Sequence, residues 1–96
     1  MKIIKSIYFN CFFFFFFFIR NRCNNSIIEQ VVDRFSDKIF IRNVEDGRFS
    51  FSTDVILSDG LVNWILQFGD NIKVEAPTEL IGMVKGRIGE IVSLYE

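Results

Sequence analysis

The stretch LVNWILQFGDNIKVEAP, residues 61–77, decides the fold, because a helix, its end and a strand follow one another in it without a gap. Its first half repeats apolar residues at i, i+3, i+4 and i+7, the spacing that places side chains on one face of a helix. These residues are Leu61, Trp64, Ile65 and Phe68. Ser58 or Asp59 is suited to cap the start of this helix, and Gly69 is suited to end it in the left-handed conformation.

The second half of the stretch predicts a strand and the start of another helix. Ile72 and Val74 alternate with charged residues, a pattern that buries one face of a strand. Pro77 cannot donate a backbone hydrogen bond to a sheet, so we expect the strand to end there. Thr78 then opens a helix that we predict to run to about Tyr95.

This last helix has two contrasting sides. At about 100° per residue, one side carries the large apolar residues Leu80, Val84, Ile88, Ile91 and Tyr95. The opposite side carries Gly82, Gly86, Gly89 and Ser93. An interior glycine weakens a helix by about 1 kcal/mol relative to alanine, so the order of this helix depends on packing. We interpret the small residues either as neutral sequence drift on a solvent-exposed face, without a role in contact, or as a partner-contact strip that lets another backbone approach closely.

Upstream, the pattern predicts a short helix over residues 26–36. Ser26 and Glu29 form an S-x-x-E capping box, in which each side chain satisfies a backbone donor of the other residue. Apolar residues follow at helical spacing: Ile28, Val31, Val32 and Phe35. Asp33 and Arg34 are expected to face water.

Residues 38–57 predict two strands around a turn at Glu45, Asp46 and Gly47. Ile39 and Ile41 alternate with basic residues in the first strand. In the second strand, alternate positions hold Phe49, Phe51, Thr53 and Val55. Serine and aspartate, not basic residues, separate the phenylalanines, so we interpret this stripe as core and not as a stacking platform for RNA bases.

Residues 1–22 form a low-complexity segment with seven consecutive phenylalanines, from Phe12 to Phe18. Two early lysines and an apolar run are typical of a signal peptide, but no small-residue cleavage site follows. The uninterrupted run is far shorter than the about 20 residues of a membrane-spanning helix. The segment is therefore interpreted as a leading strand, a signal or anchor, or the product of a frameshift in a thymine-rich gene, and residues 23–96 as the domain.

The composition argues against several classes of function. The chain has 11 basic and 12 acidic residues and a net charge of −1, so we expect no direct DNA binding. It has no histidine, the commonest general base and metal ligand, and Cys11 and Cys23 lack the spacing of a zinc or redox motif. The remaining acid/base candidates show no recognisable pairing: Asp33, Asp54, Asp59 and Glu75. We therefore predict a protein that is not an enzyme and uses no cofactor or metal.

From residue 23 the predicted order is helix, strand, turn, strand, helix, strand, helix. If the phenylalanine run or residues 19–23 supply a leading strand, the order becomes β-α-β-β-α-β with an added helix. This is the ferredoxin-like arrangement of the α+β class, in which two helices cover one face of a sheet.

Residues 26–96 resemble the C-terminal extension, of the WCX type, of bacterial WYL-domain transcriptional regulators. The likeness rests on VVDRFSDKI (31–39), WILQFGDNIKVEAPTEL (64–80) and EIVSLYE (90–96). In such regulators a winged helix-turn-helix binds DNA, a small WYL barrel follows, and an extension of ferredoxin-like shape closes the chain. The likeness covers only the extension, so operator binding and effector binding are assigned to no residue here.

The resemblance implies a cytoplasmic, non-enzymatic module for regulation, ligand sensing or dimerisation, and a fragment of a regulator. Its partners would be other domains or subunits of that regulator, and the effector is not assigned. The alternative is a small exported or membrane-associated protein that uses the Phe-rich N-terminus as a signal or anchor.

Overall fold

The computed structural model describes residues 16–44 and 46–96, which form four strands and three α-helices. The strands are β1 (Phe16–Asn24), β2 (Phe40–Val44), β3 (Arg48–Ile56) and β4 (Ile72–Ala76). The helices are α1 (Ile28–Phe35), α2 (Asp59–Leu66) and α3 (Thr78–Ser93). The signal, anchor and frameshift interpretations rest mainly on residues 1–15, which lie outside the described residues, as does Glu45 of the predicted turn.

The strands form one sheet in the order β2-β3-β1-β4, and every neighbouring pair is antiparallel. The chain order β1-α1-β2-β3-α2-β4 with this sheet order is the ferredoxin-like arrangement, and α3 follows it. The predicted α+β, ferredoxin-like fold with a C-terminal helix is therefore confirmed. The last phenylalanines of the run, Phe16–Phe18, belong to the leading strand, which continues across the predicted domain boundary after Arg22.

The core lies between one face of the sheet and the helices. The sheet contributes Ile19, Cys23, Phe49, Phe51 and Ile72, and the helical side contributes Ile27, Val31, Leu61, Val62, Ile65 and Leu80. The ring of Trp64 packs edge-on against Phe35 and Phe68, at centroid distances of 5.3 Å and 4.9 Å. Since Phe49, Phe51 and Thr53 are all buried, the prediction that this stripe belongs to the core is confirmed.

The predicted ends of α2 and of the hairpin are also present. The Ser58 hydroxyl accepts a hydrogen bond of 3.2 Å from the Leu61 amide and caps the start of α2. Gly69 adopts a φ of 60° just beyond the helix, where a side chain would be strained. Asp46 and Gly47 have φ values of 67° and 73°, as the tight turn between β2 and β3 requires.

The predicted capping box is wrong. The Asn24 side chain accepts a hydrogen bond of 2.8 Å from the Ser26 amide, because β1 leads directly into a 3-10 turn over Asn25–Ile27. The helix α1 starts only after this turn and has no side-chain cap. The side of this segment that faces the core carries Ile27, Val31 and Phe35, at i, i+4 and i+8. As a result Ile27 is buried, whereas Ile28 and Val32 are exposed, contrary to prediction.

Candidate functional site

The predicted partner-contact strip lies on an exposed side of α3. Gly82, Gly86, Gly89 and Ser93 are all exposed. A Cβ atom added at any of the three glycines would meet no atom within 4 Å. The Ser93 hydroxyl donates a hydrogen bond of 2.8 Å to the Glu90 carbonyl, so it is satisfied within the helix. The strip is accessible to a partner, and its role in contact stays a prediction.

The C-terminal half of α3 differs from the prediction. Leu80 is fully buried and Val84 packs against the core, as predicted. Ile88, Ile91 and Tyr95, which the sequence places on the same apolar side as Leu80, are 44%, 43% and 86% exposed. The physical reason is that, within the described residues, no element packs over this end of the helix. An apolar surface made of Ile88, Ile91, Val92, Leu94 and Tyr95 is therefore left open.

An apolar groove of about 290 Å³ lies between α2, β4 and α3. Its lining includes Leu66, Ile72, Val74, Ile81 and Ile88, and the ammonium-bearing side chains Lys73 and Lys85 border it. Nearby, Arg87 joins α3 to α2, since it donates to the Asn63 side-chain oxygen and lies 3.5 Å from the Asp59 carboxylate. The position of α3 against α2 is thus held by polar contacts as well as by the core.

The second face of the sheet, opposite α1 and α2, carries no helix in the described part of the chain. On this face β3 presents the small residues Ser50 and Ser52. The flanking strands present larger side chains, Phe18 and Arg20 from β1 and Phe40 and Arg42 from β2. The result is a depression of about 580 Å³ along β3, which we name the sheet trough.

The sheet trough has an apolar end and a basic end. The exposed rings of Phe16 and Phe18 lie toward one end, with Ile56 and Asp54 as their register partners on β3. At mid-length, Phe40 and Arg20 lie on either side of Ser52. The other end holds Arg22, Arg42 and Arg48, with Lys73 of β4 beside Arg22. Acidic side chains on this face of the strands are Asp54 and Glu75.

Glu75 bridges two of these arginines. Its carboxylate oxygens lie 3.3 Å from Arg20 Nε and 3.2 Å from Arg22 Nε. Arg22, Arg48 and Lys73 also line a second depression of about 350 Å³, which Asp70 borders. Sequence reasoning missed this surface because its residues come from four separate strands, and only the register shows that they are neighbours.

The four acid/base candidates named from the sequence lie on four different elements. Asp33 lies on α1, Asp54 on β3, Asp59 at the start of α2 and Glu75 on β4. Among the described residues, no group of three His, Cys, Asp or Glu side chains is placed to hold a metal ion. Burial raises the pKa of the Cys23 thiol to about 12, which keeps it protonated and unreactive near neutral pH. The described residues also contain no helix with the length and apolarity needed to span a membrane.

Comparison with known families identifies the architecture. Residues 19–92 match the model of the WCX domain. The chain belongs to the WCX domain family. This domain is the C-terminal extension of WYL regulators, so the resemblance drawn from the sequence is confirmed. The matched residues run from the middle of β1 to the last turn of α3 and include the whole hairpin and α2. The comparison with curated proteins gives no match.

Proposed function

We propose that this chain is a non-enzymatic regulatory module of a WYL-type transcriptional regulator and acts in the cytoplasm through contact with other domains or subunits. The match to the WCX domain over residues 19–92 is the observation that carries the proposal. The open surfaces of the fold support it, because a module can influence a regulator through the domains or subunits that it contacts.

Two finer roles fit a module of this kind, ligand sensing and dimerisation. In either case the module would stabilise one arrangement of the regulator's domains over another. The partner-contact strip of Gly82, Gly86, Gly89 and Ser93 is the surface that we assign to close contact between helices. The exposed apolar residues on the C-terminal half of α3 lie on the opposite side of this helix, so they form a second surface and not an extension of the strip.

A chimeric regulator tests the proposal. Residues 16–96 would replace the C-terminal extension of a WYL-domain regulator whose response to its effector can be measured. We expect the chimera to keep effector-dependent operator binding, whereas the same regulator without any extension loses it. Operator binding that is the same with and without residues 16–96 would contradict a regulatory role.

Dimerisation is tested separately on the isolated chain. Sedimentation equilibrium over a wide range of concentration measures self-association directly. A monomer at every concentration would exclude dimerisation by this module alone and leave ligand sensing as the surviving role.

A further inference from the structure

We propose that the sheet trough binds one acidic amphipathic helix from a partner polypeptide. The inference rests on the proposed function, since it names the surface and the chemistry of a protein partner. It concerns a face of the sheet that the partner-contact strip on α3 does not include.

The first argument is shape. Along β3 the floor of the trough is made of Ser50 and Ser52, and its two walls are formed by β1 and β2. Because neighbouring strands are about 4.8 Å apart, the walls are separated by about 10 Å. A helix with its side chains is about 10–12 Å wide, so one helix can lie across the rims of the trough and direct one row of its side chains toward the serines.

The second argument is the order of side chains along the trough. Two phenylalanine rings at the apolar end and a third at mid-length are each more than half exposed, at 57% for Phe16, 56% for Phe18 and 71% for Phe40. Exposed aromatic rings grouped on one face are typical of binding surfaces and not of free surface. These rings would receive the apolar side chains of the helix.

The third argument is charge. Five basic and two acidic side chains face outward from the strands on this side of the sheet, although the whole chain has a net charge of −1. Glu75 is already bound to Arg20 and Arg22. Arg42 and Arg48 are exposed beside the serines, where their guanidinium groups complement carboxylates of a partner.

Single-stranded nucleic acid is the competing occupant, because exposed rings and arginines also bind bases and phosphates. Asp54 argues against it. This carboxylate is the direct cross-strand neighbour of Phe18, so a base stacked on that ring would bring its phosphate close to a negative charge. A helix can keep its acidic residues at the basic end of the trough, away from Asp54.

The length of the open face along β1 and β3 defines the probe, since the β2 wall of the trough covers only five of the nine positions of β3. Nine strand residues span about 27 Å, which corresponds to a helix of about 18 residues. The probe is a capped, fluorescent peptide of that length, with leucines on one face of its first half and glutamates on the same face of its second half. A peptide with lysine in place of every glutamate and a single-stranded RNA of matched length serve as comparisons.

The experiment is a fluorescence anisotropy titration with the monodisperse full chain. We expect saturable binding of the acidic peptide and at least tenfold weaker binding of the lysine peptide. F40A and R42E should each weaken binding by about tenfold, as loss of an anchor or of a charge contact does. Y95A and K85E are matched controls on α3 and should leave binding unchanged.

A second measurement locates the contact without any variant. A photoreactive group at the centre of the peptide should cross-link to residues of β1, β2 or β3 on the open face, as mapped by mass spectrometry. Three results would overturn the proposal: no saturable binding, tighter binding of the RNA than of the peptide, or cross-links confined to α3. None of these results changes the outcome of the chimera test. The sheet-trough proposal can therefore fail while the proposed regulatory function stands.

Discussion

The Thr53 hydroxyl donates a hydrogen bond of 2.7 Å to the backbone carbonyl of Lys38. Thr53 is 1% exposed in the centre of β3, and Lys38 ends the 3-10 turn that follows α1. The bond satisfies a buried hydroxyl and holds the chain just before it enters β2. A single side chain thus connects the core face of the sheet to the segment that carries the edge strand.

Replacing Thr53 with valine should destabilise the domain. Valine has nearly the same shape but leaves the Lys38 carbonyl without its partner, which costs about 1–2 kcal/mol. Urea unfolding followed by tryptophan fluorescence measures the change. The matched control is Ser52→Ala at the neighbouring, half-buried position on the open face of β3, which should change stability by less than about 0.5 kcal/mol. Equal stability of Thr53→Val and the unmodified chain would show that the bond contributes nothing.

Replacing Asn21 with valine should have the opposite effect. The Asn21 side chain is fully buried on the core face of β1, and neither its amide nitrogen nor its oxygen has a hydrogen-bond partner among the described residues. A buried amide without partners costs about 1–3 kcal/mol, and valine suits a central strand. We expect Asn21→Val to raise the free energy of unfolding by about 1–2 kcal/mol.

The control for this change is Asn21→Asp, which buries an unpaired carboxyl group in the same place and should strongly destabilise the domain. If Asn21→Val also destabilises the domain, Asn21 must have a partner in solution. Chemical denaturation of the three proteins under one condition distinguishes these outcomes.

The sequence is most informative where burial depends on neighbours along the chain. The alternation of Phe49 and Phe51 with serines predicts the core face of β3, since a strand alone determines which side chains share a face. The same reasoning fails for α3. Leu80 and Ile88 follow one helical stripe, but only Leu80 has an element over it, and that depends on where β4 and α2 end.

The sheet trough was beyond prediction from the sequence for a related reason. Arg22 and Arg42 both flank Ser50, although they lie twenty positions apart along the chain, on two strands that do not pair with each other. Their proximity depends on strand register, which is determined by the complete sheet. The net charge of the chain averages over all faces, so it conceals the excess of basic side chains on this one.

Because the Cys23 thiol is buried, we predict that the domain loses stability at high pH. Its pKa is raised from 9.0 to about 12 by burial, so the folded protein holds this proton more tightly than the unfolded chain does. The contribution of Cys23 to the free energy of unfolding is therefore constant below pH 9.0. Between pH 9.0 and about 12 it should lower the free energy of unfolding by about 1.4 kcal/mol per pH unit.

Comparison with Cys23→Ala isolates this effect, because lysine and tyrosine titrations are common to both proteins. The difference in unfolding free energy between the two proteins should narrow as the pH rises through this range. A difference that is independent of pH would show that folding does not raise the pKa of the Cys23 thiol.

Replacing Gly82, Gly86 and Gly89 together with alanine separates stability from association. Each exposed glycine in a helix interior costs about 1 kcal/mol relative to alanine, and the structure has room for all three methyl groups. The free energy of unfolding should therefore rise by about 2–3 kcal/mol. If the strip is a contact surface as proposed, the same change should weaken self-association in sedimentation equilibrium, because the methyl groups keep the partner backbone at a distance.

The control for this triple change is Lys85→Ala, an exposed position on the same helix that leaves the glycines intact. It should alter neither stability nor association strongly. Suppose that the triple alanine variant is more stable and associates as tightly as the unmodified chain. The glycines would then be neutral drift on a solvent-exposed face, with no role in contact. In that case any dimer must form through another surface, and the apolar residues Ile91, Leu94 and Tyr95 would be the next to change.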